Sequence, residues 1–154
     1  MAANTSTSGF ADPADGNYED WFELYNPGST AVDLGGYFLT DNLTNQFQFK
    51  VPDNGHYLIP AGGHLLVWAD GEPGQNSTNR ADLHVSFSLR AVGEAIGLFA
   101  ADGTQIDALT FTNQTNNISQ GRSPDGGANI VFLPSLSPRS GNIIAPPAPM
   151  VAAI

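Results

Sequence analysis

The sequence predicts an all-β fold, an antiparallel sandwich or barrel of about eight or nine short strands. No segment repeats apolar residues at the roughly 3.6-residue spacing of an amphipathic helix. Short runs that alternate apolar and polar residues recur instead, separated by turn residues about every 8–12 residues. The 17 Gly and 11 Pro are spread without a collagen-like period, so they indicate turns between short elements.

The first half of the chain contains the strictest alternation. "NQFQFKV" at 45–51 places Phe47, Phe49 and Val51 on one face, which we expect to be buried. Residues 5–18 have a loop-like composition. The strands predicted in this half are DWFELYN at 20–26, two short pieces within 31–41 on either side of Gly35 and Gly36, NQFQFKV at 45–51 and HYLIP at 56–60.

The second half predicts a mostly apolar strand, an alternating strand and two hairpins. "LHVSFSL" at 83–89 alternates, with its four apolar residues predicted inward and His84 on the outward polar face. "ADG" at 101–103 predicts the turn of a hairpin. The strands predicted in this half are HLLVWAD at 64–70, LHVSFSL at 83–89, EAIGLFA at 94–100, TQIDALTF at 104–111, ISQGR at 118–122 and NIVFL at 129–133, with a polar loop at 71–80.

The charge balance disfavours several classes of partner. Five Lys and Arg against 15 Asp and Glu give a formal charge of −10, and the five cations are scattered along the chain. A nucleic-acid binder needs clustered cations to displace phosphate counterions, and an anionic membrane attracts basic segments. We therefore expect no nucleic-acid binding and no attraction to such membranes. Surplus carboxylate suits solubility, salt tolerance or divalent cations.

The chain has no Cys, which removes disulfides, thiolate metal sites and cysteine nucleophiles. It contains no apolar run of the length a transmembrane helix needs, so no membrane insertion is expected. "MAANTSTSGFADPADG" has no apolar signal-peptide core. If the protein is secreted, its signal therefore lies outside this chain.

Several motifs, in order from about residue 18 to residue 142, resemble the bacterial branch of the lamin tail domain family. They are "DWFELYNPGSTAVDLGGYFLTD", "IPAGGHLLVWADG", "LHVSFSLRAVGEAIGLFAADGTQIDALTF" and "GRSPDGG". The resemblance implies an immunoglobulin-like antiparallel β-sandwich. For bacterial members it also implies an extracellular or cell-surface accessory domain joined to an enzyme or adhesion module.

Both ends of the chain differ from the family pattern. Family members usually have an "INE"-like first strand before the position of Met1, so we expect an open sheet edge near residues 1–4. "APPAPMVAAI" resembles a linker into a further module, which predicts a domain at 1–142 and a Pro-rich segment at 143–154. The apolar residues 150–154, or a neighbouring molecule, are expected to pair with the open edge and permit self-association.

Four acidic residues in the stretch "ADPADGNYED" are candidate calcium ligands: Asp12, Asp15, Glu19 and Asp20. Hard carboxylate oxygens near a Gly turn are what Ca²⁺ prefers, although the EF-hand pattern is absent. The alternative is a solvated acidic loop in which Asp12 and Asp15 form turns through their side-chain oxygens.

Two other sets of residues have a functional and a structural interpretation. Glu23 has no motif linking it to a second carboxylate, so we interpret it as a structural strand residue and expect no catalytic residues. Trp21 and Trp68 are candidates for a carbohydrate-binding platform. Both lie in strongly apolar strands, which favours packing in the core instead.

These observations predict a non-catalytic accessory module of a larger secreted bacterial protein. It would act as a spacer, a surface attachment or a protein-binding domain, with an unidentified protein or cell-surface component as partner. The alternative is a calcium- or carbohydrate-binding module attached to an extracellular enzyme.

Overall fold

The structure, a computed structural model, describes residues 1–142 and residue 144. Short strands are the main regular elements of this part of the chain. The all-β prediction is confirmed, and the described residues also contain one 3-10 helix, Pro73–Gln75. The strands are β1 (Asp20–Tyr25), β2 (Val32–Asp33), β3 (Phe38–Thr40), β4 (Phe49–Lys50), β5 (Leu58–Ile59), β6 (His64–Ala69), β7 (Leu83–His84), β8 (Gly93–Phe99), β9 (Gln105–Thr112), β10 (Ser119–Arg122) and β11 (Ile130–Leu133).

The described strands form two larger sheets and two strand pairs. One sheet has the order β1-β6-β7 and the other β4-β3-β8-β9, while β2 pairs with β5 and β10 with β11. The pairs are antiparallel except β6–β7, which is parallel. Both predicted hairpins are present, as β8–β9 and β10–β11.

The main core draws residues from both larger sheets. Phe22 and Val67 come from β1 and β6, and Leu39 and Phe111 from β3 and β9. Val85 follows β7 and is fully buried, as its alternating pattern predicts. Burying one such side chain stabilises the fold by roughly 1.5–3 kcal/mol.

A second apolar cluster covers the opposite face of β1 and β6. It contains Met1, Trp21, Leu66 and Trp68. Because β6 is apolar along its length, its residues Leu65–Ala69 are buried on both faces. The ring of Phe10 stacks on Trp68 at 5.6 Å, so the chain before β1 closes this side of the sheet.

Two details of the sequence prediction are wrong. Phe47 is 54% exposed and packs edge-on against the ring of Phe38, because a turn at 42–45 delays β4 until Phe49. His84 is 1% exposed instead of facing solvent. The loop before β1 and the end of β6 cover it.

The predicted Pro-rich segment at 143–154 lies, apart from Ile144, outside the described residues.

Candidate functional site

The outer edge of β1 is only partly paired. Met1 N–H donates to Trp21 O at 2.9 Å, and Trp21 N–H donates back to Met1 O at 3.0 Å. Alternate residues of an antiparallel strand face opposite edges, and β6 takes the other edge of β1. The backbone groups of Glu23 and Tyr25 therefore face away from β6, and no backbone partner meets them within the described residues.

This free edge opens into a groove with a volume of about 830 Å³. The groove separates β1 from β9 and from the β10–β11 pair. Its lining is mostly apolar and includes Leu24, Ile96, Leu98, Leu109 and Phe111. The sequence predicted an open edge near residues 1–4, but the structure shows it further along β1, because Met1 already pairs with Trp21.

Glu23 lies on the groove wall and is partly buried. Its Oε1 accepts a hydrogen bond from the backbone N–H of Arg139. Burial raises the pKa of Glu23 to about 7, against the opposing effect of Arg139. This contact with a backbone donor agrees with the interpretation of Glu23 as a structural strand residue.

Asp12 and Asp15 shape the loop that leads into β1. Asp12 Oδ1 accepts the N–H of Ala14 at 2.7 Å, and Asp15 Oδ1 accepts that of Asn17 at 2.9 Å. Both residues therefore form the turns that the alternative to a calcium site predicted, although Asp12 is 1% exposed and so is not part of a solvated loop. Carboxylate oxygens of Asp12, Asp15 and Glu19 also lie within 4.8 Å of one another. We call these three residues the acidic cluster.

Asp20, the fourth calcium candidate, is not part of this cluster. Its Oδ1 accepts the backbone N–H of Asn4 at 3.3 Å, so it serves to hold the N-terminal segment beside β1. The structure thus brings together three of the four candidates, and the prediction that they bind calcium stays a prediction.

Sequence reasoning missed two buried residues beside the cluster, Asp70 and His84. His84 Nδ1 lies 2.6 Å from Asp70 Oδ2 and 3.5 Å from Asp12 Oδ2, and all three side chains are at most 1% exposed. Burial lowers the pKa of His84. The hydrogen bond to Asp70 and the charges of the nearby carboxylates raise this pKa by a larger amount, so it is raised overall. The parallel pairing of β6 with β7 creates this contact, and no local sequence signal predicts it.

Among the described residues, no hydrogen-bond donor meets three buried oxygen atoms around the cluster: Asp12 Oδ2, Glu19 Oε2 and Gln75 Oε1. Gln75 reaches the cluster through its Nε2, which donates to Asp15 Oδ2 at 3.1 Å. Burial, together with the charges of Asp15 and Asp12, raises the pKa of Glu19 to about 7. Burial likewise raises the pKa of Asp12.

The tryptophan side chains are buried, at 4% exposure for Trp21 and 0% for Trp68. The indole N–H of Trp68 donates to Asp82 Oδ2 at 3.2 Å. Packing in the core, the alternative to a carbohydrate platform, is therefore what the structure shows. Neither ring presents a free face on which a sugar could stack.

Comparison with known families decides the identity of the fold. A family model described as Lamin Tail Domain matches residues 6–113. The chain belongs to the lamin tail domain family. No curated protein matches the chain. The lamin tail domain is an immunoglobulin-like fold, which confirms the predicted fold class.

Membership of the lamin tail domain family sets a coarse functional class. Such immunoglobulin-like domains typically act as interaction modules and are generally non-catalytic. The matched region contains the acidic cluster and β1 to β9, while β10 and β11 lie beyond it. Within the described residues, no helix has the length and apolar character needed to cross a membrane.

Proposed function

We propose that this lamin tail domain is a non-catalytic accessory module of a larger secreted bacterial protein. We further propose that it binds an extended segment of a protein partner in the groove beside β1. One observation carries the proposal: the backbone of Glu23 and Tyr25, which has no partner among the described residues, opens directly into a largely apolar groove. Typical use of the fold as an interaction module supports it.

The free edge favours a partner in the extended conformation. An added strand satisfies unpaired N–H and C=O groups through main-chain hydrogen bonds, and pockets for alternate side chains supply specificity. Met1 already pairs with Trp21 at the outer edge of β1. The partner strand would therefore lie along the same edge, next to Met1 and beside Glu23 and Tyr25.

The lining specifies the chemistry of the partner segment. Side chains on its inward face would lie beside Leu24 and the apolar groove wall, so they should be apolar at every second position. The other face lies beside Glu23, in a domain of formal charge −10, which favours a Lys or Arg there.

Amide hydrogen exchange on the full chain tests this binding mode. The probe is a synthetic six-residue peptide that alternates valine with threonine or lysine. We expect the amides of Glu23 and Tyr25 to exchange fast in the free protein and to become protected when the peptide binds. Phe22, which pairs with β6, is the internal control and should be protected throughout.

Two comparisons make the experiment specific. The same peptide with one backbone N–H methylated should not protect either amide, because it cannot complete the ladder. Leu109→Asp places a charge in the apolar groove wall and should abolish protection, whereas Thr110→Asp, exposed on the same strand and outside the groove, should not. Peptide binding that is unaffected by both the N-methylation and the substitution in the groove wall would contradict strand addition.

Occupation by this protein itself is the competing outcome. If Glu23 and Tyr25 are already protected in the full chain and Val151→Asp releases them, residues 150–154 occupy the groove, and a foreign partner is not needed. Protection that increases with protein concentration would instead indicate a second copy.

A further inference from the structure

We infer that the acidic cluster of Asp12, Asp15 and Glu19 is a Ca²⁺ site, with the side-chain oxygen of Gln75 as an additional ligand. This inference does not depend on the proposed function, since the cluster is separate from the residues that line the groove. The cation would fix the loop at 12–19 against the 3-10 helix Pro73–Gln75 and so hold the start of β1.

The spacing of the oxygens fits a single cation. Ligand oxygens lie roughly 2.3–2.6 Å from bound Ca²⁺, so two oxygens that share one ion are at most about 5 Å apart. The carboxylate oxygens of Asp12, Asp15 and Glu19 lie within 4.8 Å of one another. Three carboxylates brought this close repel each other unless positive charge lies between them.

The unpartnered oxygens are an independent indication of a missing positive group. Asp12 is 1% exposed, yet its Oδ2 has no hydrogen-bond donor, and the same holds for the buried Oε2 of Glu19 and Oε1 of Gln75. Buried polar atoms are almost always paired, because an unpaired one costs about 1–3 kcal/mol. All three atoms are acceptors, so a cation is the kind of group that satisfies them, whereas an anion or a further acceptor satisfies none.

The orientation of Gln75 agrees with this interpretation. Its Nε2 donates to Asp15 Oδ2 and to Glu72 Oε2, so an exchange of its amide nitrogen and oxygen would lose both bonds. The amide oxygen is therefore the atom of this side chain that has no donor among the described residues. A neutral amide oxygen is a common Ca²⁺ ligand.

His84 does not supply the missing charge to the whole cluster. Its Nδ1 proton is committed to Asp70 at 2.6 Å, and Asp12 Oδ2 lies at 3.5 Å from the same nitrogen. Glu19 and Gln75 form no hydrogen bond with the imidazole. His84 Nε2 is also buried without a partner among the described residues, but the acidic cluster itself offers only oxygen ligands, which suit a hard cation and not zinc.

Calcium titration of the full chain at constant ionic strength tests the site. We expect a Kd in the range of about 10⁻⁴–10⁻³ M that is found for extracellular calcium modules. At about 10 mM CaCl₂ the melting temperature should rise by roughly 3–11 °C, depending on where in this range the Kd falls. Isothermal calorimetry should give one site, and MgCl₂ should bind more weakly, because Mg²⁺ needs shorter, near-octahedral ligand distances.

A matched pair of variants separates a site from general charge screening. Asp15→Asn removes a proposed ligand charge but keeps the turn to Asn17, and it should weaken calcium binding at least about 10-fold. Asp102→Asn is the control: Asp102 is exposed, and its Oδ1 accepts the Thr104 N–H at 2.9 Å in the same kind of turn. It should leave calcium binding unchanged.

Two results would overturn the inference. One is a melting temperature that CaCl₂ changes no more than NaCl of equal ionic strength. The other is equal loss of calcium binding in the Asp15 and Asp102 variants, which would indicate diffuse counterion binding. Glu19→Gln checks against an effect peculiar to Asp15, and it should also weaken calcium binding while peptide protection of Glu23 and Tyr25 persists.

Discussion

At the scale of single residues, Glu23 should make the fold less stable as pH rises. Its pKa is about 7 in the folded protein against an ordinary value of 4.5, so the folded state holds this proton more tightly than the unfolded state. Its contribution is therefore most favourable below about pH 4.5 and is lost as pH rises through about 7. Glu23→Gln keeps an acceptor for the Arg139 N–H and removes the penalty.

We expect Glu23→Gln to raise the free energy of unfolding at pH 8 by on the order of 1–3 kcal/mol and to change it little at pH 4.5. Urea unfolding at the two pH values measures the difference. The exposed Asp53→Asn controls for the loss of one negative charge. A variant that is destabilised at pH 8 would show that the pairing of Glu23 with Arg139 outweighs its burial.

The residues of the candidate calcium site show what local sequence reasoning can reach. Asp12, Asp15 and Glu19 lie within eight positions of one another, so their shared loop was enough to predict that they meet. Asp70 and His84 join them only because β6 and β7 pair in parallel, a long-range contact. Asp20 lies apart from this cluster, because it is the first residue of β1 and its carboxylate accepts the backbone N–H of Asn4.

At the scale of strands, Gly93 should be essential to the β8–β9 hairpin. Its φ is 116°, and a Cβ atom there would lie 2.9 Å from the carbonyl oxygen of Phe111, a backbone atom that cannot turn aside. Gly93→Ala should therefore destabilise the fold by about 3 kcal/mol. Thermal unfolding should show a fall in melting temperature of roughly 6–12 °C.

Gly55→Ala is the matched control for this backbone effect. Gly55 also has a positive φ, of 70°, but an added Cβ would meet nothing within 4 Å. Its substitution should cost only the left-handed conformation, about 1 kcal/mol. Equal losses in the two variants would mean that the collision with Phe111 is relieved by movement of β9.

The strands that the sequence predicted well are those with strong local determinants. The hairpin of β8 and β9 follows from alternating residues and the turn at 101–103, where Gly103 has a φ of 85°. The predicted strand at 45–51 shrinks to Phe49–Lys50, although its alternation is the strictest in the chain. Alternation alone does not reveal whether a partner strand extends far enough to pair with it, and here β3 is only three residues long.

At the scale of the whole molecule, charge repulsion should dominate the response of stability to salt. The chain has a formal charge of −10, and only five Lys and Arg are available to form ion pairs. Self-repulsion favours the expanded unfolded chain, and salt screens it. The Debye length falls from about 30 Å at 0.01 M to about 8 Å at 0.15 M, so most of the long-range repulsion disappears over this range.

We therefore expect NaCl to raise the melting temperature by several degrees between about 0.01 M and 0.15 M, with EDTA present so that calcium plays no part. Converting the exposed residues Asp33, Asp53 and Asp102 to Asn changes the formal charge from −10 to −7 and should reduce this rise. A melting temperature that falls with salt would show instead that ion pairs such as Arg122–Asp107, at 2.9 Å, contribute more than the net repulsion costs. That outcome is disfavoured because exposed pairs contribute only about 0–1 kcal/mol each.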